Sequence, residues 1–206
     1  MHLLPAKGRY IPLGIEFLKK NFPVVLPTDT LYGICADALT PEAVEKVYHA
    51  KWRNPSKPLI VLVYSPFQIE EFFGIKPTKE VLNILNYKKP ISLLLPVKGF
   101  EWVSRGSGLI AFRWVKEGFI KKFLQTYKRP LVAPSANWEG FPPAKDIFQA
   151  FFYFGNWVSV YYDGGVLKGL PSALLKLEGK KAKILRRGNL NEEDFKNLKV
   201  EPLEEK

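Results

Sequence analysis

Three cations crowd one short segment of the chain, at Lys51, Arg53 and Lys57. Two prolines, Pro55 and Pro58, stiffen this segment, which runs directly into an apolar stretch that predicts a buried strand. Cations often collect at the C-terminal end of a helix, where they offset the helix dipole. A rigid basic loop anchored on a strand is also typical of a polyphosphate site. The segment alone therefore leaves two interpretations open, a helix end or an anion site.

Polar and basic side chains also follow other segments that predict strands. In chain order they are Thr28, Asp29 and Thr30, then Arg113, then Ser135 and Asn137, then Ser172 and Arg186. Each taken alone has a structural explanation, such as turn chemistry for the threonines or a surface position at a sheet edge for Arg113. Ligands in α/β folds bind where strands end. Together with the basic segment from Lys51 to Lys57, the ordered set therefore predicts one concave, cationic, hydroxyl-lined pocket in which these segments meet.

The elements that must position these side chains alternate along the chain and predict an α/β fold. Helices are expected at residues 11–20, from Thr40 to the basic segment, shortly after Ser65, at residues 77–86, 117–127 and 146–154, and from about Asn191. Strands are expected at residues 22–26, 59–63, 91–95, 109–113, 131–133, 158–162, 173–177 and 182–185. The last two strands form a predicted antiparallel pair, so the sheet is expected to be mixed.

The predicted architecture is a single α/β domain with a twisted mixed sheet flanked by helices. It spans residues 1–200, with its motifs between residues 10 and 188, and a polar tail follows at residues 201–206. Phe148, Phe151 and Phe152, on an aromatic-rich helix, are expected in the core rather than in a base-stacking surface.

The amino-acid composition limits the kinds of reaction that the protein can catalyse. A net charge of +11 over 206 residues favours an anionic partner such as nucleic acid, a nucleotide or acidic lipid. With two histidines and one cysteine, no zinc cage and no Cys-His or Ser-His-Asp machinery is plausible. The phosphate-loop and dinucleotide signatures are missing from the sequence. Any chemistry is therefore expected to use Lys, Arg, hydroxyls and backbone amides, which suits phosphoryl and nucleotidyl transfer.

Cellular location follows from what the sequence lacks. The single Cys35 has no intramolecular disulfide partner, which fits a reducing compartment. No signal-peptide core and no apolar run of ~18 residues is present. We therefore expect a cytoplasmic protein with no membrane partner.

Eight motifs, in this order and spacing, resemble those of the YrdC/TsaC family. They are Pro27-Thr28-Asp29-Thr30-Leu31-Tyr32-Gly33, Lys51-x-Arg53, Lys57-Pro58-Leu59-Ile60, Ala111-Phe112-Arg113, Ser135-Ala136-Asn137-x-x-Gly140-x-Pro142, Asp163-Gly164-Gly165, Pro171-Ser172 and Ile184-Leu185-Arg186-x-Gly188. The resemblance implies a YrdC-like fold with a concave basic pocket. Within the family, the chain resembles the short, TsaC-like form, which is without the additional C-terminal domain of the longer members.

The resemblance also implies an activity, that of an L-threonylcarbamoyladenylate synthase. Such enzymes form threonylcarbamoyl-AMP and pyrophosphate from L-threonine, bicarbonate or CO2, and ATP. A partner, the threonylcarbamoyl-transferase complex, then modifies an adenosine of tRNA. The implied metal is Mg²⁺ carried with ATP, with no protein-bound metal and no organic cofactor.

Carried over position by position, the resemblance implies two groups of contacts. Threonine would be bound by Thr30, Arg113, Ser135 and Ser172. ATP would be bound by Lys51, Arg53, Lys57, Asn137, Lys145 and Arg186, with Lys51 and Arg53 as the catalytic residues. Glu139 departs from the family, which usually has Ser or Thr there, and places a negative charge near the predicted phosphate site.

Two other functions compete with the synthase. In the first, the same basic concavity binds double-stranded RNA or tRNA through phosphates, without adenylate synthesis. In the second, the domain supplies carbamoyl-adenylate chemistry to a larger maturation protein, although the acylphosphatase-like and zinc-finger segments of such proteins are missing here. Saturable ATP binding that responds to threonine distinguishes the synthase from the RNA-binding module.

Overall fold

The computed structural model describes residues 1–178, 181–198 and 200–201. The strands are β1 (His2–Pro5), β2 (Val24–Pro27), β3 (Tyr32–Asp37), β4 (Ile60–Val63), β5 (Ile91–Pro96), β6 (Leu109–Trp114), β7 (Leu131–Val132), β8 (Val160–Asp163), β9 (Ala173–Glu178), β10 (Lys181–Arg186) and β11 (Val200–Glu201). The helices are α1 (Ile11–Lys19), α2 (Pro41–Lys51), α3 (Phe67–Phe73), α4 (Lys79–Leu85), α5 (Glu101–Ser104), α6 (Gly118–Tyr127), α7 (Ile147–Phe154) and α8 (Glu192–Leu198).

One sheet contains all the strands of the described residues, in the order β1-β8-β2-β3-β7-β4-β6-β5-β9-β10-β11. Parallel and antiparallel pairings both occur: β4 runs parallel to β6, whereas β5 and β6 are antiparallel. The hairpin expected near the C-terminus is present as the antiparallel β9–β10 pair. The prediction of a single α/β domain with a mixed sheet is therefore confirmed.

Two apolar cores lie on opposite faces of this sheet, because side chains alternate along a strand. In β2, Val25 belongs to the first core, and its neighbours Val24 and Leu26 to the second. Helices α2, α3, α4 and α7 pack on the first face. On the second face the buried helical residues come from α1 and α6. Strand residues of this second face that the two helices do not cover form the floor of the candidate site.

Sequence signals placed most helix starts correctly, with local differences in capping. Asp146 accepts a hydrogen bond from the amide of Gln149 at 2.8 Å, as an N-cap residue does. Thr40 precedes α2 in an extended conformation, but its side chain makes no cap hydrogen bond. Near the start of α3, the Gln68 side chain accepts a hydrogen bond from the amide of Tyr64 at 3.0 Å.

The expectation that the aromatic side chains of α7 are buried is wrong. Phe148 and Phe152 are 71% and 73% exposed, and Phe151 is also exposed. Helix α7 instead buries Ile147, Ala150 and Phe154, which share one helical face. Strands β1 and β3 were not predicted from the sequence. Glu201, which was expected in the polar tail, forms the end of β11, and β11 pairs with β10. Residues 202–206 lie outside the described residues.

Candidate functional site

A cavity with an empty volume of about 430 Å³ lies where several strand ends meet, and we call it the main cavity. Its lining residues are Thr28, Thr30, Leu31, Tyr32, Gly33, Ile60, Arg113, Ala133, Ser135, Pro171, Ser172 and Arg186. All four residues predicted for threonine line it, together with Arg186 from the predicted ATP set. Five of the segments inferred from the sequence thus meet at this cavity, whereas Asn137 and the three cations of residues 51–57 do not line it.

The turn between β2 and β3 positions Thr30. The Thr28 hydroxyl donates to the carbonyl of Leu31 at 2.6 Å and accepts from the amides of Thr30 and Leu31, both at 3.2 Å. Its oxygen also lies 3.1 Å from the Thr30 hydroxyl oxygen. The Thr28 side chain therefore holds the turn through three hydrogen bonds to its backbone, and Thr30 on this turn lines the main cavity.

The segment at residues 164–171 closes over this turn. Tyr32 anchors its start, since the hydroxyl accepts from the amide of Gly164 at 2.9 Å and donates to the carbonyl of Gly165 at 2.7 Å. Farther along, the backbone of Gly169 approaches Thr30 so closely that a Cβ atom there would lie 2.2 Å from the Thr30 carbonyl oxygen. A glycine is required at position 169 because only a residue without a side chain fits this contact.

Arg113 is a buried residue of a central strand, not a surface residue at a sheet edge. It lies in β6 between β4 and β5, and its side chain is 4% exposed. Its Nη2 lies 3.0 Å from Oδ1 of Asp29, whose side chain is 9% exposed. The contact is not a well-directed hydrogen bond: within the described part of the chain, neither Asp29 Oδ1 nor Arg113 Nε has a hydrogen-bond partner.

Ser172 lies at the start of β9 and is held by two neighbours. Its hydroxyl oxygen is 2.8 Å from that of Ser92 in β5, and both residues are buried. The Arg186 guanidinium donates to the Ser172 carbonyl at 3.1 Å and to its hydroxyl at 3.4 Å. Burial, and then the nearby charge of Arg113, lower the pKa of Arg186. Two guanidinium groups therefore face one cavity and favour an anionic ligand there.

Lys51 lies behind the cavity wall rather than in the wall itself. It ends α2 and is 2% exposed. Its Nζ donates to the carbonyl oxygens of Ser135 at 2.5 Å and of Asn137 at 2.6 Å. Burial, and to a smaller extent the charge of Arg53, lowers the pKa of the Lys51 amine to about 7. The charge of Glu139 acts in the opposite direction and raises this pKa. In this structure Lys51 organises the loop that carries Ser135.

Asn137 organises the same loop, which we call the 135–145 loop. Its Oδ1 accepts from the Ser135 hydroxyl at 2.6 Å. Its Nδ2 donates to the carbonyls of Trp138 and Phe141, both at 2.8 Å. The amide side chain is thus fully engaged within the loop and fixes the direction of the Ser135 hydroxyl.

Arg53 and Lys57 lie in the segment of residues 51–58, which we call the basic loop. Arg53 donates to the carbonyls of Lys57 at 3.3 Å and Pro58 at 2.9 Å, so it stabilises the loop from inside. Lys57 forms an ion pair with Glu139 of the 135–145 loop. The hydrogen bonds to Lys57 and to the amide of Asn54 lower the pKa of Glu139.

An aromatic contact also joins the two loops. The Trp52 and Trp138 rings are stacked, with centroids 4.4 Å apart and planes inclined by 19°. Trp52 has a left-handed backbone with φ of 50°, which is uncommon for a residue with a side chain, and it is 65% exposed. The Glu139 amide adds a hydrogen bond to the carbonyl of Lys51 at 2.9 Å. The basic loop and the 135–145 loop are therefore joined by a ring contact, an ion pair and a backbone hydrogen bond.

Lys145 lies apart from the other predicted ATP residues. It lines an apolar groove formed with Leu31, Pro143, Leu167, Lys168, Gly169, Leu170 and Pro171. The groove shares Leu31 and Pro171 with the main cavity, so the two adjoin. Of the predicted ATP residues, Arg186 lines the main cavity. Lys51 and Asn137 hold the loop that carries Ser135, Arg53 and Lys57 lie in the basic loop, and Lys145 lines the groove.

Three residues of the site were given no individual role or partner from the sequence. Asp29 was counted only as part of a polar turn, Ser92 was placed in a strand, and Glu139 was noted as a departure without a partner. The carboxylate of Asp29 in the Thr-Asp-Thr turn was a usable signal, because strand ends carry ligand contacts. Nothing in the sequence pairs Ser92 with Ser172, 80 residues away.

Other chemistries find little support in the parts of the chain that the structure describes. There, no group of three or more His, Cys, Asp or Glu side chains could hold a metal ion. Cys35 is buried, and burial raises the pKa of its thiol to about 12, so it is not a reactive thiolate. None of the helices in residues 1–178 and 181–198 has the length and hydrophobicity needed to traverse a bilayer.

The family model Sua5_yciO_yrdC, described as "Telomere recombination", matches residues 16–188. The chain belongs to this family. The resemblance to YrdC/TsaC proteins drawn from eight motifs is thereby confirmed. The matched region includes all ten predicted site residues.

Relatives of known name extend this result. The chain is 28% identical to threonylcarbamoyl-AMP synthase of Pyrococcus abyssi over 91% of its own length and 56% of that protein. It is 30% identical to threonylcarbamoyl-AMP synthase of Bacillus subtilis over 93% of its length and 57% of that protein. A crystal structure of P. abyssi Sua5 complexed with L-threonine superposes with a TM-score of 0.89 at 24% identity, covering 98% of this chain and 63% of that one. The chain thus spans just over half the length of these relatives.

Proposed function

We propose that the protein is an L-threonylcarbamoyladenylate synthase. The observation that carries this proposal is the main cavity, where Thr30, Arg113, Ser135 and Ser172 from four separate segments meet beside Arg186. Hydroxyl and guanidinium groups in one small space suit an amino acid next to an anion. Relatives named threonylcarbamoyl-AMP synthase, and a P. abyssi Sua5 complexed with L-threonine, support this choice of substrate.

On the amino-acid side, Arg113 binds the carboxylate of L-threonine, a task suited to a planar guanidinium. Thr30, Ser135 and Ser172 supply hydroxyl contacts. Their positions are fixed by the Thr28 turn, by Asn137 and by Ser92 respectively. A rigid set of donors and acceptors of this kind holds the substrate in one orientation.

On the nucleotide side, Arg53, Lys57 and Arg186 contact ATP, with Lys51 and Asn137 at the base of the phosphate site and Lys145 toward the groove. The ammonium group of threonine first loses a proton to solvent. The neutral amine then adds to CO2, whether supplied directly or from bicarbonate, and a second proton is released to solvent as the carbamate forms. A carbamate oxygen attacks the α-phosphorus, the bond to the bridging oxygen breaks, and pyrophosphate leaves. Lys51 and Arg53 stabilise the charge that develops on the leaving group.

The proposed setting follows from the activity. Mg²⁺ enters with ATP and supplies charge neutralisation on its phosphates. The product passes to a threonylcarbamoyl-transferase complex that modifies tRNA in the cytoplasm. The relatives cited above are named for synthesis of the adenylate, so an RNA-binding module without this activity is not favoured.

The test is incubation with ATP, L-threonine and ¹³C-bicarbonate, followed by mass detection of threonylcarbamoyl-AMP and measurement of pyrophosphate. We expect the labelled adenylate and an equal amount of pyrophosphate, and neither when threonine is omitted. Pyrophosphate release that does not require threonine would instead indicate a generic nucleotidase. Salt-sensitive RNA binding without any ATP binding would indicate the RNA-binding module.

A further inference from the structure

The buried pair of Asp29 and Arg113 lies between two cavities. Arg113 lines the main cavity, and Asp29 lines a second cavity with an empty volume of about 520 Å³, which we call the side cavity. Thr30, which directly follows Asp29 in the chain, lines both cavities, so the two spaces adjoin beside this pair. The Asp29 carboxylate and the Arg113 guanidinium, whose closest atoms are 3.0 Å apart, therefore lie where the two cavities adjoin.

Each of the two side chains retains unused hydrogen-bonding capacity. Among the residues described, Asp29 Oδ1 has no donor and Arg113 Nε has no acceptor, although both atoms are buried. Buried polar atoms without partners are uncommon because losing water without a replacement contact is unfavourable. At the wall of a cavity, a ligand can supply the missing contacts. The required ligand has one acceptor for Arg113 and one donor for Asp29.

Charge further restricts the ligand. A simple carboxylate bound to Arg113 would lie beside the Asp29 carboxylate, and the two like charges would repel each other in a poorly hydrated space. A ligand with a carboxylate and an ammonium group separated by one carbon opposes each charge of the pair with its complement. Lys116, another cation of the side cavity, donates to the carbonyl of Tyr87 and interacts with Asp29 through its charge, but it makes no hydrogen bond to Asp29 Oδ1.

We propose that Asp29 is a specificity-determining residue that binds the α-ammonium group of the amino-acid substrate while Arg113 binds its carboxylate. This inference rests on the proposed function and adds the basis for choosing an α-amino acid over other small carboxylates. Discrimination arises because a ligand without the amine leaves Asp29 buried beside a second negative charge.

Calorimetry with three ligands tests the proposal on the unmodified protein. They are L-threonine, the 2,3-dihydroxybutyrate of the same stereochemistry, in which a hydroxyl replaces the amine, and L-threoninol, which lacks the carboxylate. We expect L-threonine to bind roughly 10- to 100-fold more tightly than the dihydroxy acid, the range expected for a hydrogen bond to a charged group. Equal affinity for the two acids would overturn the proposal.

Asp29→Asn keeps the shape and removes the charge. We expect it to weaken threonine binding roughly 10- to 100-fold while binding of the dihydroxy acid is unchanged or improved, so that the preference for the amine is lost. Glu117→Gln is the matched control, because Glu117 also lines the side cavity and its loss changes the net charge equally. If Glu117→Gln loses the preference for threonine over the dihydroxy acid to the same extent, the proposal is overturned, because the net charge of the side cavity and not Asp29 itself would then determine the preference.

Folding is followed by thermal denaturation, because removing one partner of a buried ion pair can unfold a protein. If Asp29→Asn does not fold, Asp29→Glu, which retains the charge, must keep the preference for the amine, and its loss there would contradict the proposal. The proposed function fails separately, when the unmodified protein binds no threonine at all. Threonine binding that is insensitive to Asp29→Asn removes only the role of Asp29.

Discussion

The ammonium group of Lys57 forms an ion pair with the carboxylate of Glu139, and that carboxylate also accepts a hydrogen bond from the amide of Asn54 at 2.5 Å. The Glu139 carboxylate thus binds the Lys57 ammonium and the Asn54 amide, two groups of the basic loop that we expect to face the phosphates of ATP. Bound phosphate must displace this carboxylate or share Lys57 with it.

Glu139→Gln should therefore tighten ATP binding, because Lys57 is released while the side chain can still accept from Asn54. The pair is partly exposed, so the expected gain is modest, about two- to fivefold in Kd. Glu16→Gln is the matched control, since it removes an equal charge from an exposed pair with Lys20 on α1. Calorimetric titration with ATP decides the matter, and weaker binding by Glu139→Gln would show that the carboxylate organises the site instead.

Arg53→Ala should reduce pyrophosphate release in the presence of ATP, threonine and bicarbonate by ~10²–10³-fold, because a donor that stabilises the leaving group is lost. The fold should persist, since the two carbonyls to which the Arg53 side chain donates belong to its own loop. Arg9→Ala, at an exposed position, controls for net charge. A near-normal rate of pyrophosphate release by Arg53→Ala would remove this role.

Lys51 should make ATP binding depend on pH. Burial lowers its pKa to about 7, so in the free protein the amine is mostly neutral above that pH. Phosphates favour the charged form and raise the pKa, so ATP binding at pH 8 should take up protons. Affinity should then fall as pH rises from about 7.5 to 9, by at most about tenfold per pH unit.

Calorimetry in two buffers of different ionisation enthalpy measures this proton uptake. Lys51→Arg provides the control, because a guanidinium remains charged throughout the range and the pH dependence should disappear. No difference between the two buffers would mean that the Lys51 amine does not respond to the nucleotide.

The pair of Ser92 and Ser172 allows structural and binding contributions to be separated. Ser172 lines the main cavity, whereas Ser92 lies behind it and is fully buried. Either alanine variant leaves a buried hydroxyl without its 2.8 Å partner and should lower the free energy of unfolding by about 1–3 kcal/mol. Ser172→Ala should also weaken threonine binding about tenfold, and Ser92→Ala should weaken it less, because Ser172 then keeps its hydroxyl. Denaturant unfolding and threonine titration on both variants check this, and equal effects on binding would contradict it.

Gly169→Ala should damage the site through the backbone. The added Cβ would lie 2.2 Å from the carbonyl oxygen of Thr30, so the 164–171 segment or the Thr28–Leu31 turn must shift. We expect about 1–3 kcal/mol of destabilisation and a loss of threonine affinity. Gly8→Ala is the control, because nothing lies within 4 Å of a Cβ at that position. Unchanged threonine binding by Gly169→Ala would show that this approach is not needed.

How much the sequence could reveal differs between the fold and the site. Strand β6 was predicted almost to the residue because its apolar run is uninterrupted, and Arg113 was correctly placed at its end. Strand β3 was missed because the Thr-Asp-Thr turn and Gly33 suggest a loop, while tertiary pairing with β2 and β7 makes the segment extended. The exposure of Phe148 and Phe152 was not predictable from hydrophobicity, because α7 is nearly apolar on both faces.

Within the site, residue types indicated which side chains meet but not how they pair. The sequence placed Lys51, Arg53 and Lys57 together, yet it could not show that one amine is buried against two carbonyls while another pairs with Glu139. These pairings join segments about 80 residues apart, and local periodicity contains no information on such contacts. The predicted roles of individual residues in substrate binding stay predictions.

The stacked indoles of Trp52 and Trp138 have a practical consequence. One ring belongs to the basic loop and the other to the 135–145 loop, so their overlap reports directly on the gap between these segments. Exciton coupling between two indoles depends steeply on separation and orientation, and it is visible in the circular dichroism of unlabelled protein. A change in the distance between these two loops can therefore be followed over time by circular dichroism, without attaching a dye.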